Sequence, residues 1–268
     1  MTSALALFLA LAQGARPAKP AQPAAEFPHR SEEMEFVGTE TGFTLPAMTV
    51  EGDVTLSWVT FDNYRKRSFD LEVMSLTLEA AYGITDWVQA ELEIPFLWVD
   101  PDPGRSENGL SDIVLEGKAS LRKGSSPIGF VPVDLSAGAR IILPTGDEDE
   151  GLGREKAALG LFGAASYPFL PWLAGHAEVW TEWQRGFRPL HGLDVAAEFT
   201  PWMKELSLLG AFNVQQEGGD SPAISLVPGA EYRFSTPRPR MSVGLGLPIG
   251  LTSRAPDYGF QANFQIRF

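Results

Sequence analysis

The sequence predicts an all-β fold, a single antiparallel up-and-down transmembrane β-barrel of about 12 strands. The segment Tyr258–Phe268 alternates without a break between an apolar face and a polar face. Similar alternating segments of roughly ten to fourteen residues follow one another from about residue 50 onward, the length of a tilted membrane strand. Aromatic residues also collect near the predicted strand ends, as they do at the two interfaces of a bilayer.

In the first half of the chain, each predicted strand carries an apolar row that we assign to the outside. These rows are Val54–Trp58, Met74–Tyr82, Val88–Trp98, Ile113–Leu121, Val131–Leu143 and Leu159–Tyr167. The third row alternates most clearly, with Gln89, Glu91 and Glu93 between its apolar members. In the second strand Leu71 and Val73 are out of frame with the row, which is what a β-bulge would produce.

The second half of the chain continues the same pattern. The outward rows are Leu173–Trp183, Leu193–Phe199, Leu206–Val214, Ile224–Phe234, Val243–Leu251 and Tyr258–Phe268. The twelfth strand is expected to pair with the first, near Val50–Phe61, because a barrel in lipid tolerates no open edge. Its outward row is also the expected signal for the barrel-assembly machinery: Tyr258, Phe260, Phe264, Ile266 and Phe268.

The connections between strands fall into two sets. If the C-terminus faces the periplasm, the periplasmic turns are Gly83–Asp86, Lys123–Phe130, Pro168–Trp172, Pro201–Lys204 and Ser235–Arg240. The remaining connections are extracellular and include Val99–Gly109 and Thr145–Lys156, in keeping with longer loops outside. A soluble β-sandwich also alternates, so the alternation alone leaves that architecture open.

Two aromatic belts argue for the membrane barrel over the sandwich. The periplasmic belt is Tyr82, Trp87, Tyr167, Trp172, Phe199, Trp202, Tyr232, Phe234 and Phe268, and the outer belt is Phe61, Trp98, Trp183, Phe187 and Tyr258.

The N-terminal part of the chain has a different composition. Residues 1–12 read as a signal peptide, with an apolar core and a small-residue cleavage site before Gln13, although no Lys or Arg precedes the core. Residues 13–48 are expected to form a Pro- and Ala-rich periplasmic tether and lead-in, and residues 49–268 the outer-membrane barrel.

Composition excludes several classes of function. A net charge of -13 and a pI near 4.7 argue against a nucleic-acid partner. The absence of cysteine removes thiolate metal sites and cysteine nucleophiles. No phosphate-binding loop or dinucleotide fingerprint is present, so no cofactor is expected.

The polar residues between the apolar rows are the candidates for lining the lumen. They are Glu91, Glu93, Asp112, Glu116, Lys118, Asp134, Arg140, His176, Glu178, Glu182, Asp194, Glu198, Glu231 and Arg233. Acids outnumber bases in this set, so a water-filled lumen would favour cations. Because twelve strands lie between the filled eight-stranded barrels and the open porins, the same charges could instead pair and plug the barrel.

The remaining motifs carry less chemistry. The acidic run Asp147–Glu150 could hold a divalent cation, but it lacks the spacing of a calcium-binding loop and fits a solvated extracellular loop better. A barrel lipid hydrolase would need His176 or His191 beside a serine and an acidic partner.

Three turn motifs resemble those of outer-membrane transporters of the phenol-degradation meta-pathway type. They are Tyr82-Gly83-Ile84-Thr85-Asp86-Trp87 with Ile94-Pro95-Phe96, Gly109-Leu110-Ser111-Asp112, and Leu143-Pro144-Thr145-Gly146-Asp147. The resemblance spans most of the predicted barrel and implies an envelope barrel for uptake or efflux of small molecules.

Together these observations predict a Gram-negative outer-membrane channel or transporter for small solutes, with an acidic lumen and no enzymatic activity. The expected partners are outer-membrane lipid and lipopolysaccharide, the barrel-assembly machinery and a small-molecule solute. A structural or adhesive barrel with a plugged lumen is the first alternative, and an outer-membrane lipid hydrolase is the second.

Overall fold

A computed structural model describes residues 39–62, 70–102, 104–122, 133–201, 203–236 and 238–268. The predicted signal peptide, most of the tether, the turn Lys123–Phe130 and Trp202 lie outside the described residues. No helix in the described part of the chain has the length and apolarity of a membrane span.

The described residues form one antiparallel sheet that closes on itself. Its strands are β1 (Val50–Phe61), β2 (Asp70–Thr85), β3 (Val88–Asp102), β4 (Glu107–Leu110), β5 (Ile113–Arg122), β6 (Asp134–Leu143), β7 (Ala158–Leu170), β8 (Leu173–Gln184), β9 (Leu190–Phe199), β10 (Leu206–Glu217), β11 (Ala223–Arg233), β12 (Arg240–Gly246), β13 (Ile249–Gly250) and β14 (Tyr258–Arg267). Strands adjacent in sequence pair with each other, except that β4 does not pair with β5 and β12 does not pair with β13.

The fourteen strands of the described residues occupy twelve positions around the barrel, which confirms the predicted fold class. Strands β4 and β5 both pair with β3 and share one position, separated by Ser111 and Asp112. Strands β12 and β13 both pair with β11 and β14 and share another, separated by Leu247 and Pro248.

Closure is made by the first and last strands, as the sequence predicts. Strand β1 pairs with β14 over ten residues, from Glu51 opposite Arg267 to Thr60 opposite Tyr258. The seam therefore leaves no open strand edge between β1 and β14, as a barrel in lipid requires.

The register of strand β2 shows whether the strand contains the β-bulge that the sequence indicates near Leu71 and Val73. Pairing of β2 is continuous with β1 from Leu71 to Tyr82 and with β3 from Asp70 to Gly83, with an irregularity only between Gly83 and Thr85. Leu71 and Val73 therefore share a face with Thr77 and Glu79. The alternation breaks at Leu71 and Val73 because apolar side chains occupy inward-facing positions there. No β-bulge shifts the register of β2 at these residues.

The outward face of the barrel is apolar. Large hydrophobic side chains such as Leu56, Leu78, Leu161 and Val195 are between 39% and 46% exposed. Their rows alternate with buried polar residues on the same strands, which is the pattern of a barrel wall in lipid.

Aromatic side chains are grouped at both ends of the wall. At the end with the shorter connections (the short-turn end), Trp172 lies edge-on to Phe199 with ring centroids 5.5 Å apart, and Tyr232 to Phe234 at 5.4 Å. At the opposite end (the long-loop end), Trp58 lies 5.7 Å from Tyr258.

Candidate functional site: the barrel interior

The inward face of the wall is lined with buried polar and charged side chains. Of the residues predicted to line the lumen, those buried to within 9% exposure are Asp112, Glu116, Lys118, Asp134, His176, Glu178, Asp194, Glu198 and Glu231. The structure distributes them over several distinct clusters.

Residues 39–47, the end of the predicted lead-in, lie against this inward face. The backbone N–H of Glu40 donates to Glu178 Oε2 at 2.9 Å, and that of Gly42 donates to Ser166 Oγ at 2.9 Å. Lys118 Nζ is 2.6 Å from Glu40 Oε2, in an ion pair shielded from solvent. The segment is thus bonded to strands β5, β7 and β8 of the wall.

The same segment is held again as it approaches β1. The side chain of Gln89 accepts from Leu45 N at 2.9 Å, and Asp86 Oδ1 accepts from Ala47 N at 2.9 Å. Gly83 lies so close to the lead-in that a Cβ at this position would be 2.0 Å from the Pro46 carbonyl oxygen. Residues 39–47 therefore fill part of the lumen, and they narrow it toward the short-turn end.

An arginine-centred cluster, formed by Arg140, Glu116, Glu178 and Phe162, lies deeper in the barrel. Arg140 Nε is 3.2 Å from Glu116 Oε2, and Arg140 Nη2 is 3.3 Å from Glu178 Oε1. The guanidinium carbon also lies 5.1 Å from the centre of the Phe162 ring. A Cβ at Gly160 would lie 2.5 Å from Arg140 Cγ. The absence of a side chain at Gly160 therefore leaves the space on β7 that the aliphatic part of Arg140 occupies.

Two cavities flank the arginine-centred cluster. The turn-side cavity has a volume of about 310 Å³ and the loop-side cavity about 360 Å³. Both are lined by Arg140, Glu178 and Gln261. The cluster therefore stands between the two chambers.

The turn-side cavity is strongly acidic. Its carboxylates are Glu40, Asp53, Glu79, Glu91, Glu93, Glu116 and Glu178, and Arg140 is the one base among the described residues that line it. Asp53 is held by Asn263 and Thr55, through hydrogen bonds to its two oxygens.

The loop-side cavity has a mixed lining. Trp180 Nε1 donates to Asp194 Oδ2 at 2.7 Å and Asn213 Nδ2 donates to Asp194 Oδ1 at 2.8 Å, so this carboxylate is fixed from both sides. Val59 and Pro256 contribute apolar surface to the same chamber.

Asp112 and Glu182 anchor the loop 144–157 and line neither chamber. Asp112 accepts from the backbone N–H groups of Gly146 and Arg154 at 3.1 and 3.0 Å, and the Arg154 guanidinium pairs with Glu182. Leu152 is only 2% exposed. The loop is thus folded inward at the long-loop end.

A further cluster lies near the short-turn end. Arg233 Nη2 bonds to Glu198 Oε1 at 2.8 Å and to Glu231 Oε2 at 3.1 Å, while Ser207 donates to Glu198 at 2.6 Å. Asp134, at the start of β6, is buried beside Gly42. These residues tie the wall together and line neither of the two chambers.

The two histidines among the described residues, His176 and His191, have different surroundings. His176 Nδ1 lies 2.9 Å from Ser166 Oγ, but both side chains are buried and Ser166 also accepts from the lead-in. His191 lies exposed on β9. No group of three His, Cys, Asp or Glu side chains in the described ranges could hold a metal ion.

Sequence reasoning missed several residues of the turn-side cavity, among them Asp53, Thr39 and Glu40. The position of Asp53 could have been predicted, because it precedes the apolar row that begins at Val54 and so falls on the inward face. The positions of Thr39 and Glu40 could not, since these residues lie before the first strand and only the folded structure brings them into the lumen.

Comparisons with known proteins identify the architecture. No protein-family model matches the chain, and no curated protein matches it in sequence. Solved structures do match it. An outer membrane channel from Pseudomonas putida F1 superposes with a TM-score of 0.67 at 16% identity, over 84% of this chain and 97% of that one.

Two further matches show how widely the architecture is shared. The NanC porin superposes with a TM-score of 0.53 at 10% identity, over 81% of this chain and 98% of that one. The β-domain of the Bordetella autotransporter BrkA superposes with a TM-score of 0.52 at 14% identity, over 82% of this chain and all of that one. At these identities the matches establish the fold class alone, a bacterial-type β-barrel.

Proposed function

We propose that this protein is an outer-membrane channel that passes small solutes, cations in preference to anions, through an acidic lumen. The observation that carries the proposal is the turn-side cavity, whose lining holds seven carboxylates and one arginine among the described residues. Rings of carboxylates inside a low-dielectric wall raise the local concentration of cations.

The surface of the barrel wall supports a location in the outer membrane. Its apolar outward face and its aromatic side chains at both ends suit a bilayer on the outside and water within. The similarity to an outer membrane channel and to a porin supports the same location and a non-enzymatic role. Outer-membrane lipid, lipopolysaccharide and the barrel-assembly machinery, which would read the outward row of β14, are the partners this location supplies.

The turn motifs support the more specific resemblance to transporters of the phenol-degradation meta-pathway type. Thr145 Oγ1 accepts from Ile113 N and donates to the Ser111 carbonyl, both at 2.9 Å, so two of the motifs bond to each other across β5 and β6. The third motif holds the lead-in through Gly83 and Asp86. These motifs form hydrogen bonds in the connections at the two ends of the barrel, and they do not indicate which solute is transported.

Planar-bilayer recording of the refolded protein tests the proposal. We expect discrete ion conductance, small compared with that of an open sixteen-stranded porin because residues 39–47 occupy part of the lumen. A refolded barrel that gives no current above background would contradict a channel.

A plugged structural or adhesive barrel is the second candidate, favoured by the bonding of the lead-in to the wall. Solute-uptake assays with liposomes separate the two. A channel admits small cations such as methylammonium, whereas a plugged barrel leaves the liposomes as impermeable as protein-free ones.

A further inference from the structure

Three carboxylates stand side by side across the first three strands. Asp53 on β1 is directly opposite Glu79 on β2, and Glu79 is directly opposite Glu93 on β3. All three line the turn-side cavity. Directly opposed residues in a sheet have Cβ atoms about 5 Å apart, and like charges in that position destabilise the sheet. We call Asp53, Glu79 and Glu93 the carboxylate row.

The row is flanked by neutral residues. Gln265 is opposite Asp53 on the β14 side, and Val114 is opposite Glu93 on the β5 side. Arg140, the basic residue of the cavity lining among the described residues, lies on β6 and is within ion-pair distance of Glu116 and Glu178. The negative charge of the row is therefore presented to the cavity, opposite an arginine that already has acidic partners.

A second, independent observation concerns a buried hydroxyl in the lining of the same cavity. Thr39 lines the cavity, the residue is 0% exposed, and its hydroxyl has no hydrogen-bond partner within the described part of the chain. A buried hydroxyl without a partner is costly, and a bound polar group that reaches it would remove that cost.

We propose that the carboxylate row is a binding subsite for a small organic cation with N–H donors, a primary amine or a guanidine. Ionised carboxylates only accept hydrogen bonds, and an ammonium or guanidinium group supplies several donors at once. The described side chains form no metal-binding group, and a chamber of about 310 Å³ is far larger than a bare metal ion needs. This assignment rests on the proposed function for the route by which the cation reaches the row.

Binding of 1,4-diaminobutane to the folded protein in detergent tests the subsite without requiring transport. Isothermal titration should show saturable binding to the native chain, with the dissociation constant raised about tenfold or more in Glu79→Gln/Glu93→Gln. The bis(trimethylammonium) analogue of diaminobutane, which has the same two charges but no N–H donor, and 1,4-butanediol, which lacks the charge, should each bind more weakly. Equal binding of diaminobutane and its bis(trimethylammonium) analogue would overturn the assignment.

The matched control is Glu148→Gln/Asp149→Asn, which removes two negative charges from the loop 144–157, and its affinity for diaminobutane should equal that of the native chain. Equal loss of affinity in both variants would show a diffuse charge effect and overturn the row as a subsite. Because the glutamine variant relieves like-charge repulsion, it should fold at least as stably as the native barrel, and the single variant Glu93→Gln gives a second measurement.

Conductance measurements distinguish a failure of the proposed channel from a failure of the proposed subsite. Cation conductance without row-dependent diaminobutane binding would refute the subsite and leave the channel standing. Row-dependent binding in a barrel that carries no current would refute the channel and leave the subsite standing.

Discussion

At the residue scale, the interior is controlled by a few side chains whose positions depend on their neighbours across strands. Arg140 bridges Glu116 and Glu178 and stands between the two chambers. Replacing it with Gln leaves two buried carboxylates without their cation. We expect the free energy of unfolding in lipid vesicles to fall by about 3 kcal/mol, as when one partner of a buried ion pair is removed.

The control for Arg140→Gln is the triple variant Arg140→Gln/Glu116→Gln/Glu178→Gln, in which the two carboxylates that pair with Arg140 are also made neutral. Its stability should recover most of the loss. Urea unfolding followed by tryptophan fluorescence measures both variants, and an unchanged midpoint in Arg140→Gln would show that the cluster does not stabilise the barrel.

Gly83 gives a second prediction at this scale. A methyl group at this position would meet the Pro46 carbonyl oxygen at 2.0 Å, and that atom belongs to backbone, which cannot rotate away. We expect Gly83→Ala to push the lead-in from the wall and to cost roughly 1–3 kcal/mol. Chymotryptic cleavage after Phe43 should become faster in Gly83→Ala than in Gly210→Ala, where a Cβ meets nothing within 4 Å.

At the element scale, the lead-in determines how open the lumen is. Its bonds to Gln89, Ser166 and Glu178 place residues 39–47 inside the wall. Deleting residues 39–45 should raise single-channel conductance severalfold, because the pore widens while every strand of the barrel remains. Lys118→Met, which removes the ion pair to Glu40 and leaves residues 39–45 in the chain, is the matched control and should give a smaller increase. Conductance that does not change on deletion would show that ions pass by another route.

The strands could be predicted from sequence and the lead-in could not, for a physical reason. A wall between lipid and water imposes a period of two on every strand, and Val54, Leu56 and Trp58 display it directly. Glu40 lies before the first strand, and nothing local shows that it meets Lys118. Asp112 was predicted on the inward face by parity, but its role as an anchor for the loop 144–157 depends on contacts 34 and 42 residues away.

At the scale of the whole molecule, closure by β1 and β14 should make the barrel resistant to detergent. The unheated protein is expected to migrate faster on an SDS gel than the boiled protein, and to sediment with outer membranes after cell fractionation. Interrupting the seam with Trp58→Pro should abolish the fast form, because proline removes a ladder donor in the middle of the sheet. A chain recovered only from the soluble periplasmic fraction would contradict a membrane barrel.

The direct test of an acidic, cation-preferring channel is the reversal potential of the reconstituted protein across a tenfold gradient of KCl. We expect a potential of the sign and size that potassium selectivity gives, and a shift toward zero in Glu91→Gln/Glu93→Gln because two carboxylates leave the turn-side cavity. A reversal potential of zero, or one of the sign that chloride selectivity gives, would contradict the account.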